Sequence, residues 1–231
     1  MHAGLRNEEA CLLEAHPVPR EASICVVGCG SGREVFAFYR LGFHHIVGID
    51  CTPELLDIAR QRGEKDGLPV RFELATASAI PSSDASFDLI TFFENVYGHI
   101  TPRAERLKTL NEAHRALKPG GVCFLVVTNM YVRWLYRAYF ALQGLTLPLW
   151  NPQKLEPGDK VMRDARLARR ETSGLLARSH WFKPGEVPDE ARQARFSVVH
   201  ATTEWGLRQN LQGNMQGLRG QGRLVYVLRR E

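Results

Sequence analysis

The stretch Ile24-Cys25-Val26-Val27-Gly28-Cys29-Gly30-Ser31-Gly32-Arg33-Glu34 constrains the fold of this chain more than any other. A short apolar run stops at three glycines in a G-x-G-x-G pattern, and a helix-compatible segment, Arg33 to Leu41, begins at once. The apolar run reads as a buried strand, and the glycines let the backbone turn and press against a ligand. A second apolar run, Ile46-Val47-Gly48-Ile49, ends on Asp50. It would deliver a carboxylate to the same edge of the sheet, within reach of a ribose. The pattern describes a site for a nucleoside-containing cofactor. In the dinucleotide fingerprint G-x-G-x-x-G the third glycine would stand at position 33, but here it comes one residue early, at Gly32.

The chain around this stretch alternates strands and helices. Asn7 with Glu8 and Glu9 starts a short leading helix, ended by Pro17 and Pro19. Strands are expected at Ser23 to Gly28, His45 to Asp50, Val70 to Leu74, Leu89 to Phe93 and Val122 to Val127. Helices are expected from Arg33 to Leu41, from Thr52 onward with Leu55, Leu56, Ile58 and Ala59 facing inward, and from Arg103 to Leu117. Lys118-Pro119-Gly120-Gly121 breaks the last of these. Five short apolar strands between helices predict a mainly parallel sheet covered on both faces. After Thr128 the pattern changes. Six aromatics fall in residues 130–150 (Tyr131, Trp134, Tyr136, Tyr139, Phe140 and Trp150), and residues 151–180 are polar, Arg-rich and poorly periodic. Pro184 to Arg192 can form a helix, Phe196 to Thr203 alternates like a strand, and a Gly/Gln-rich loop, Gly206 to Gly222, leads to a last strand at Arg223 to Leu228.

Length and composition set wider bounds. With 231 residues, 44% hydrophobic and 24% charged, the chain suits one sizeable α/β domain. The five cysteines form no C-x-x-C pair, and Cys25, Cys29 and Cys123 lie in or beside expected core strands. They read as reduced thiols of a cytoplasmic protein. No signal-peptide pattern opens the sequence, and no apolar run is long enough to span a membrane. Residues 151–231 hold 15 Lys and Arg against 9 Asp and Glu, whereas the first 150 residues are close to neutral, so the net charge of +5 belongs to the C-terminal third. Such basicity attracts an acidic substrate, an anionic surface or nucleic acid, or is simply a solvated face.

Four pieces in register carry a family resemblance: Val27-Gly28-Cys29-Gly30-Ser31-Gly32, Val47-Gly48-Ile49-Asp50, Ser86-Phe87-Asp88-Leu89-Ile90 and Arg115-Ala116-Leu117-Lys118-Pro119-Gly120-Gly121. In order and spacing the chain resembles the class I S-adenosylmethionine-dependent methyltransferases, particularly bacterial UbiE-like, type 11 enzymes, from about residue 20 to residue 128. The resemblance implies a Rossmann-like, seven-stranded, mainly parallel sheet with helices on both faces, the last strand antiparallel, and a helical or irregular insertion after strand 5. It implies a single methyltransferase domain over 1–231: a cofactor half at 20–128, a substrate cap at 129–195 and closing strands at 196–231. The cofactor would be S-adenosyl-L-methionine. Gly28, Cys29, Gly30, Ser31 and Gly32 would form the turn against it, Asp50 would accept both ribose hydroxyls, and Cys51 and Leu55 would lie near the adenine. Thr76 and Ala77, after strand 3, would contact the adenine ring, and Glu94 and Asn95 would lie beside the sulfonium and the acceptor. Two departures stand out. Many relatives carry an acid where this chain has Val26, and an Asp where it has Thr76. Arg33 and Glu34 would compensate by holding the methionine carboxylate and amine.

Methyl transfer needs alignment more than acid–base chemistry, and a base only when the nucleophile arrives protonated. His99 and, behind it, Tyr97 are the candidate bases near the end of strand 4; the alternative is that His99 caps a loop or orients the substrate. Arg103 and Arg106 open a helix at its positive end, an unfavourable place for cations. They read as an anion contact or as a solvated, salt-bridged pair. The aromatic stretch, with Tyr131 and Trp134, reads as substrate cover, a homodimer surface, an interfacial membrane helix or plain packing over the sheet, and these stay open. His180 and Trp181 would line the other side of the same pocket. No metal site is expected: His44 and His45 are adjacent, and Cys25-x-x-x-Cys29 ends inside the glycine turn. Nucleic acid is disfavoured as a substrate, because Phe93-Glu94-Asn95-Val96 lacks the Pro-Pro-aromatic turn of base-amino methylation and no Pro-Cys dipeptide occurs. The expectation is therefore methyl transfer to the O, N or C of a small molecule, with a non-catalytic cofactor-binding regulator or partner subunit as the alternative.

Overall fold

A computed structural model describes residues 4–163, 176–209 and 222–231. Seven strands form one sheet: β1 (Ser23–Val27), β2 (His45–Asp50), β3 (Arg71–Leu74), β4 (Phe87–Phe92), β5 (Leu117–Val127), β8 (Phe196–Thr203) and β9 (Leu224–Arg230). Their order is β3-β2-β1-β4-β5-β9-β8, parallel from β3 to β5. β9 inserts antiparallel between β5 and β8. The expected seven strands and antiparallel last strand are both present.

Helices cover both faces, as the continuous apolar runs of the central strands require. α1 (Asn7–Ala15), α2 (Arg33–Arg40) and α3 (Pro53–Lys65) precede β3 in the chain. α4 (Val96–His99) and α5 (Arg103–Ala116) join β4 to β5, and α7 (Glu186–Gln193) packs against α5 and β8. The interior divides into two apolar layers separated by the sheet. One holds Ile90, Phe92, Tyr97, Leu125, Phe182 and Tyr226, the other Ile24, Val26, Phe38, Leu89, Phe124 and Val225. Neighbouring residues of one strand thus bury on opposite sides, as the two-residue repeat dictates.

Several local expectations are corrected. Arg6, not Asn7, is the residue before α1, and its backbone N–H donates to Glu9 Oε2 at 2.8 Å. Within α3 only Leu56 and Ala59 of the four expected inward residues are buried; Leu55 and Ile58 face solvent. The segment after β5 is more ordered than its composition suggests. α6 (Trp134–Thr146) carries most of the aromatic stretch, and β6 (Asp159–Arg163) pairs antiparallel with β7 (Leu176–His180) in a hairpin. The hairpin gives little apolar periodicity because the positions it buries, Asp159, Ser179 and His180, are polar. A short α8 (Glu204–Arg208) opens the expected glycine-rich loop, the rest of which, 210–221, lies outside the described residues.

Candidate cofactor and acceptor site

The glycine turn follows β1 at the C-terminal edge of the sheet. The amides of Gly28 and Cys29 both donate to the carbonyl of Ile49, at 2.8 and 3.0 Å, which docks the turn on the end of β2. Gly28, Gly30 and Gly32 have φ of 69, 51 and 87°, the left-handed region where a side chain is strained. At Gly28 a Cβ would also sit 2.5 Å from a Val96 methyl, so the turn and the start of α4 approach closely only because no side chain intervenes.

Asp50 is nearly buried at the end of β2. Its Oδ2 accepts from the Gly30 amide at 2.8 Å and its Oδ1 from the Thr52 amide at 2.9 Å. A carboxylate offers about four acceptor positions, so each oxygen keeps capacity for one further donor. That is the number of hydroxyls on a ribose. The exposed side chains of Cys51 and Leu55 follow directly, and the exposed Thr76 lies with the half-buried Ala77 just beyond β3, which pairs in register with β2. Thr76 Oγ1 lies 3.4 Å from Ser78 Oγ. This acceptor pair and glycine cradle fit a nucleoside bearing a free ribose diol.

Arg33 behaves differently from its expected role. Its guanidinium grips both oxygens of Glu9 at 2.7 Å, bonds Glu34 at 2.6 Å and reaches the Gly4 carbonyl at 3.2 Å. Glu94, in a left-handed conformation after β4, meets Arg6 at 2.5 Å and Arg33 and Arg223 at 3.5 Å each. Arg223 also pairs with Glu8 and Glu204. Five carboxylates therefore face three guanidiniums beside the glycine turn. Burial pushes the Glu34 carboxyl up to about 7, with Arg33 opposing the rise. Sequence reading missed Arg6, Glu8, Glu9, Glu204 and Arg223 as members of this group. Glu8 and Glu9 looked like ordinary acids of a first helical turn, and no local signal places them beside residues 33 and 94.

Asn95, φ 63°, is a fastener rather than an open contact. Its Oδ1 accepts from the Thr128 amide at 2.8 Å and its Nδ2 donates to Ser179 Oγ at 3.0 Å, tying β4 to β5 and to the β6–β7 hairpin. Tyr97 is withdrawn as a base. Fully buried, it donates to Glu190 Oε2 at 2.6 Å and stacks on Phe182, and burial first, then Glu190, raises its pKa well above the usual phenol range. Arg106 is not a surface cation either. It is buried against Glu190, with contacts at 3.0, 3.2 and 3.3 Å, while Arg103 reaches the same carboxylate at 3.3 Å from the exposed side.

His180 is buried, with Nδ1 2.9 Å from Asp159 Oδ1 and its ring against Phe182. Burial alone would lower its pKa; the Asp159 and Glu186 carboxylates outweigh that and raise it. With Arg103, Arg106, Glu156 and Glu186 it lines a cavity of about 300 Å³. Glu156, Asp159 and His180 offer ligand atoms within 4.8 Å of one another, a grouping invisible in the sequence, but Arg178 already bonds Asp159 and the Arg103 amide already donates to Glu156. His99 is exposed, its Nδ1 3.4 Å from the Arg178 carbonyl. Trp134 is 73% exposed, whereas Tyr131 is partly covered, with the Arg137 guanidinium 5.5 Å over its ring.

This strand order, with the glycine turn after β1 and the ribose-ready carboxylate after β2, agrees with comparison to known proteins. A family model described as a methyltransferase domain matches residues 24–121. That match spans less than half of the chain, and together with the relatives and the fold it supports a class I S-adenosylmethionine-dependent methyltransferase. A ubiquinone biosynthesis O-methyltransferase of Methylobacterium sp. (strain 4-46) is 29% identical over 65% of this chain and 57% of its own length. A demethylmenaquinone methyltransferase of Thermus thermophilus is 42% identical over 33% of each chain. The chain thus spans about half or less of these two curated relatives. Among solved structures, a SAM-dependent methyltransferase from Methanosarcina mazei has a TM-score of 0.72 at 21% identity, covering 94% of this chain and 96% of its own. The 1,6-didemethyltoxoflavin-N1-methyltransferase of Burkholderia thailandensis, solved with 1,6-didemethyltoxoflavin and S-adenosylhomocysteine, has a TM-score of 0.59 at 20% identity, covering 99% and 79%. These likenesses in structure speak for the fold.

Proposed function

We propose that the chain transfers a methyl group from S-adenosylmethionine to a small acceptor carrying a hydroxylated or nitrogenous ring. The acceptor class follows the names of the relatives, which include ubiquinone and menaquinone methyltransferases and an enzyme of toxoflavin chemistry. The observation that carries the reading is Asp50, oriented by two backbone amides and retaining acceptor capacity for a ribose diol. The cofactor supplies an activated methyl group when bound. Residues 20–128 hold it, and residues 129–195 cover the acceptor.

The protein's part in this reading is mainly alignment. Asp50 fixes the ribose, with Leu55 and Ala77 flanking the adenine. Glu9 and Glu94 stand in for the acid missing at Val26 and favour the cationic methionine end by charge. Asn95 holds the end of β4 still against β5 and the hairpin. His99 takes the acceptor proton where one must leave, and its removal lowers kcat with a smaller change in KM. Reduced buried thiols support a cytoplasmic setting. The test is labelled S-adenosylmethionine with demethylated short-chain quinols, catechols and ring amines as acceptors. Label transferred to one class supports the proposal. Cofactor binding with no transfer to any of these or to a cell extract favours a non-catalytic binding subunit, a reading that Val26 and Thr76 keep in play.

A further inference from the structure

We propose that α6 and the turn after it form a docking face for an anionic lipid bilayer, lying in its surface and not crossing it. α6 has two apolar sides. Phe140 and Gln143 are buried, and Tyr136 and Phe140 pack on Trp181 with ring centroids 4.6 and 5.7 Å away. At about 100° per residue, Leu135, Ala138, Leu142 and Leu145 fall within roughly 40° of one line on the opposite side. Leu142 and Leu145 are 61% and 72% exposed, and Leu149 and Trp150 continue the surface at 86% and 77%. An open apolar cleft of about 510 Å³, lined by Tyr139, Leu142, Leu149 and Trp150 among others, runs along this side. Apolar surface of this extent usually marks an interaction site.

Charge selects the occupant. No Asp or Glu occurs between Glu112 and Glu156, while Arg133, Arg137 and Lys154 flank the apolar residues and are exposed. Exposed Trp134 stands at one end of the helix and Trp150 just past the other. Leucines beneath, cations at the flanks and indoles at the ends form the pattern of a helix seated roughly 5–10 Å into the headgroup boundary. Among the described residues no helix is long and apolar enough to cross a membrane, so the contact is peripheral. The inference stands on this surface alone and does not depend on the identity of the methyl acceptor.

The experiment is co-sedimentation of the full chain with vesicles of phosphatidylglycerol and phosphatidylcholine in equal parts, against phosphatidylcholine alone. Binding to the mixed vesicles should exceed that to the neutral ones and weaken with salt. The double variant Leu142→Glu/Leu145→Glu should lose at least about tenfold in partitioning, since each leucine withdrawn from lipid costs about that much. Both leucines are exposed, so the thermal midpoint and the calorimetric affinity for S-adenosylhomocysteine should stay at the parent values. Equal binding by parent and variant, or no binding to the mixed vesicles, overturns the proposal. It is also overturned if light scattering shows a parent dimer that the variant converts to monomer while neither binds vesicles, since the face would then join two copies of this chain.

Discussion

The glycine-turn side of the molecule and the region around the β6–β7 hairpin handle polar groups in different ways. At the turn, short-range geometry does most of the work: Gly30 and Thr52 are positioned by the strands that precede them, and their amides orient Asp50. Near the hairpin, buried polar groups meet only through tertiary packing. Tyr97 and Arg106 reach Glu190 across 93 and 84 residues, and His180 reaches Asp159 from the other strand of the hairpin. The first arrangement leaves acceptor capacity open for a ligand, whereas the second uses most of its capacity internally. A group that binds must stay incompletely satisfied in the free protein, whereas Arg106 and His180 spend most of their donors internally and keep only Nη1 and Nε2 without a hydrogen-bond partner among the described residues.

The sharpest way to break this contrast is Arg106→Met. If the Arg106–Glu190 pair is structural, removing Arg106 leaves the buried Glu190 carboxylate with only the Tyr97 hydroxyl and the half-exposed Arg103, and should cost about 3 kcal/mol in urea unfolding. Asp50→Ala should instead weaken S-adenosylhomocysteine binding by about 3 kcal/mol or more, over a hundredfold by calorimetry, through loss of two charge-assisted hydrogen bonds. Its urea midpoint should fall much less than that of Arg106→Met. If the two variants trade effects, the division between binding and holding groups is wrong.

Glu34 gives an intermediate effect with a defined sign. Its folded pKa is raised to about 7 from an ordinary 4.5. The folded state therefore holds this proton more tightly, and the group's contribution to stability is full below about 4.5 and lost as pH rises through 7. Glu34→Gln should flatten the fall in thermal midpoint between pH 5 and 8 that the parent shows, most visibly at the alkaline end. The smallest expected change is Thr76→Asp. Restoring the acid common in relatives should tighten cofactor binding by about 1 kcal/mol, a few-fold in Kd, because the side chain is solvent-exposed. A weakened affinity would place Thr76 elsewhere than beside the adenosine.

Much of the cofactor side was legible from sequence because its signals are local. A strand, a glycine turn and a helix start within a few residues of one another, and Asp50 ends the next strand. The antiparallel place of β9 was legible only through family resemblance, since nothing in Leu224 to Arg230 says where the strand inserts. Helix faces were read less well. Ile58 fits the α3 pattern yet is 45% exposed, because at about 100° per residue it stands well off the side that buries Leu56, Ala59 and Gly63. The hairpin was missed because neither Asp159–Arg163 nor Leu176–His180 alternates apolar with polar residues, and the positions buried are Asp159, Ser179 and His180.

The sequence alone determined the alternation of strands and helices, the glycine turn and the acid at residue 50, since each rests on backbone preference and burial period over short spans. Tertiary structure decided what Arg33 and Tyr97 are used for. Arg33 was expected to meet a ligand and meets Glu9; Tyr97 was offered as a base and is bonded to Glu190. A side chain's partners depend on which distant segments reach it, and burial makes those partners obligatory once water is excluded. The same exclusion of water raises the Glu34 carboxyl, a property that no spacing in the chain announces.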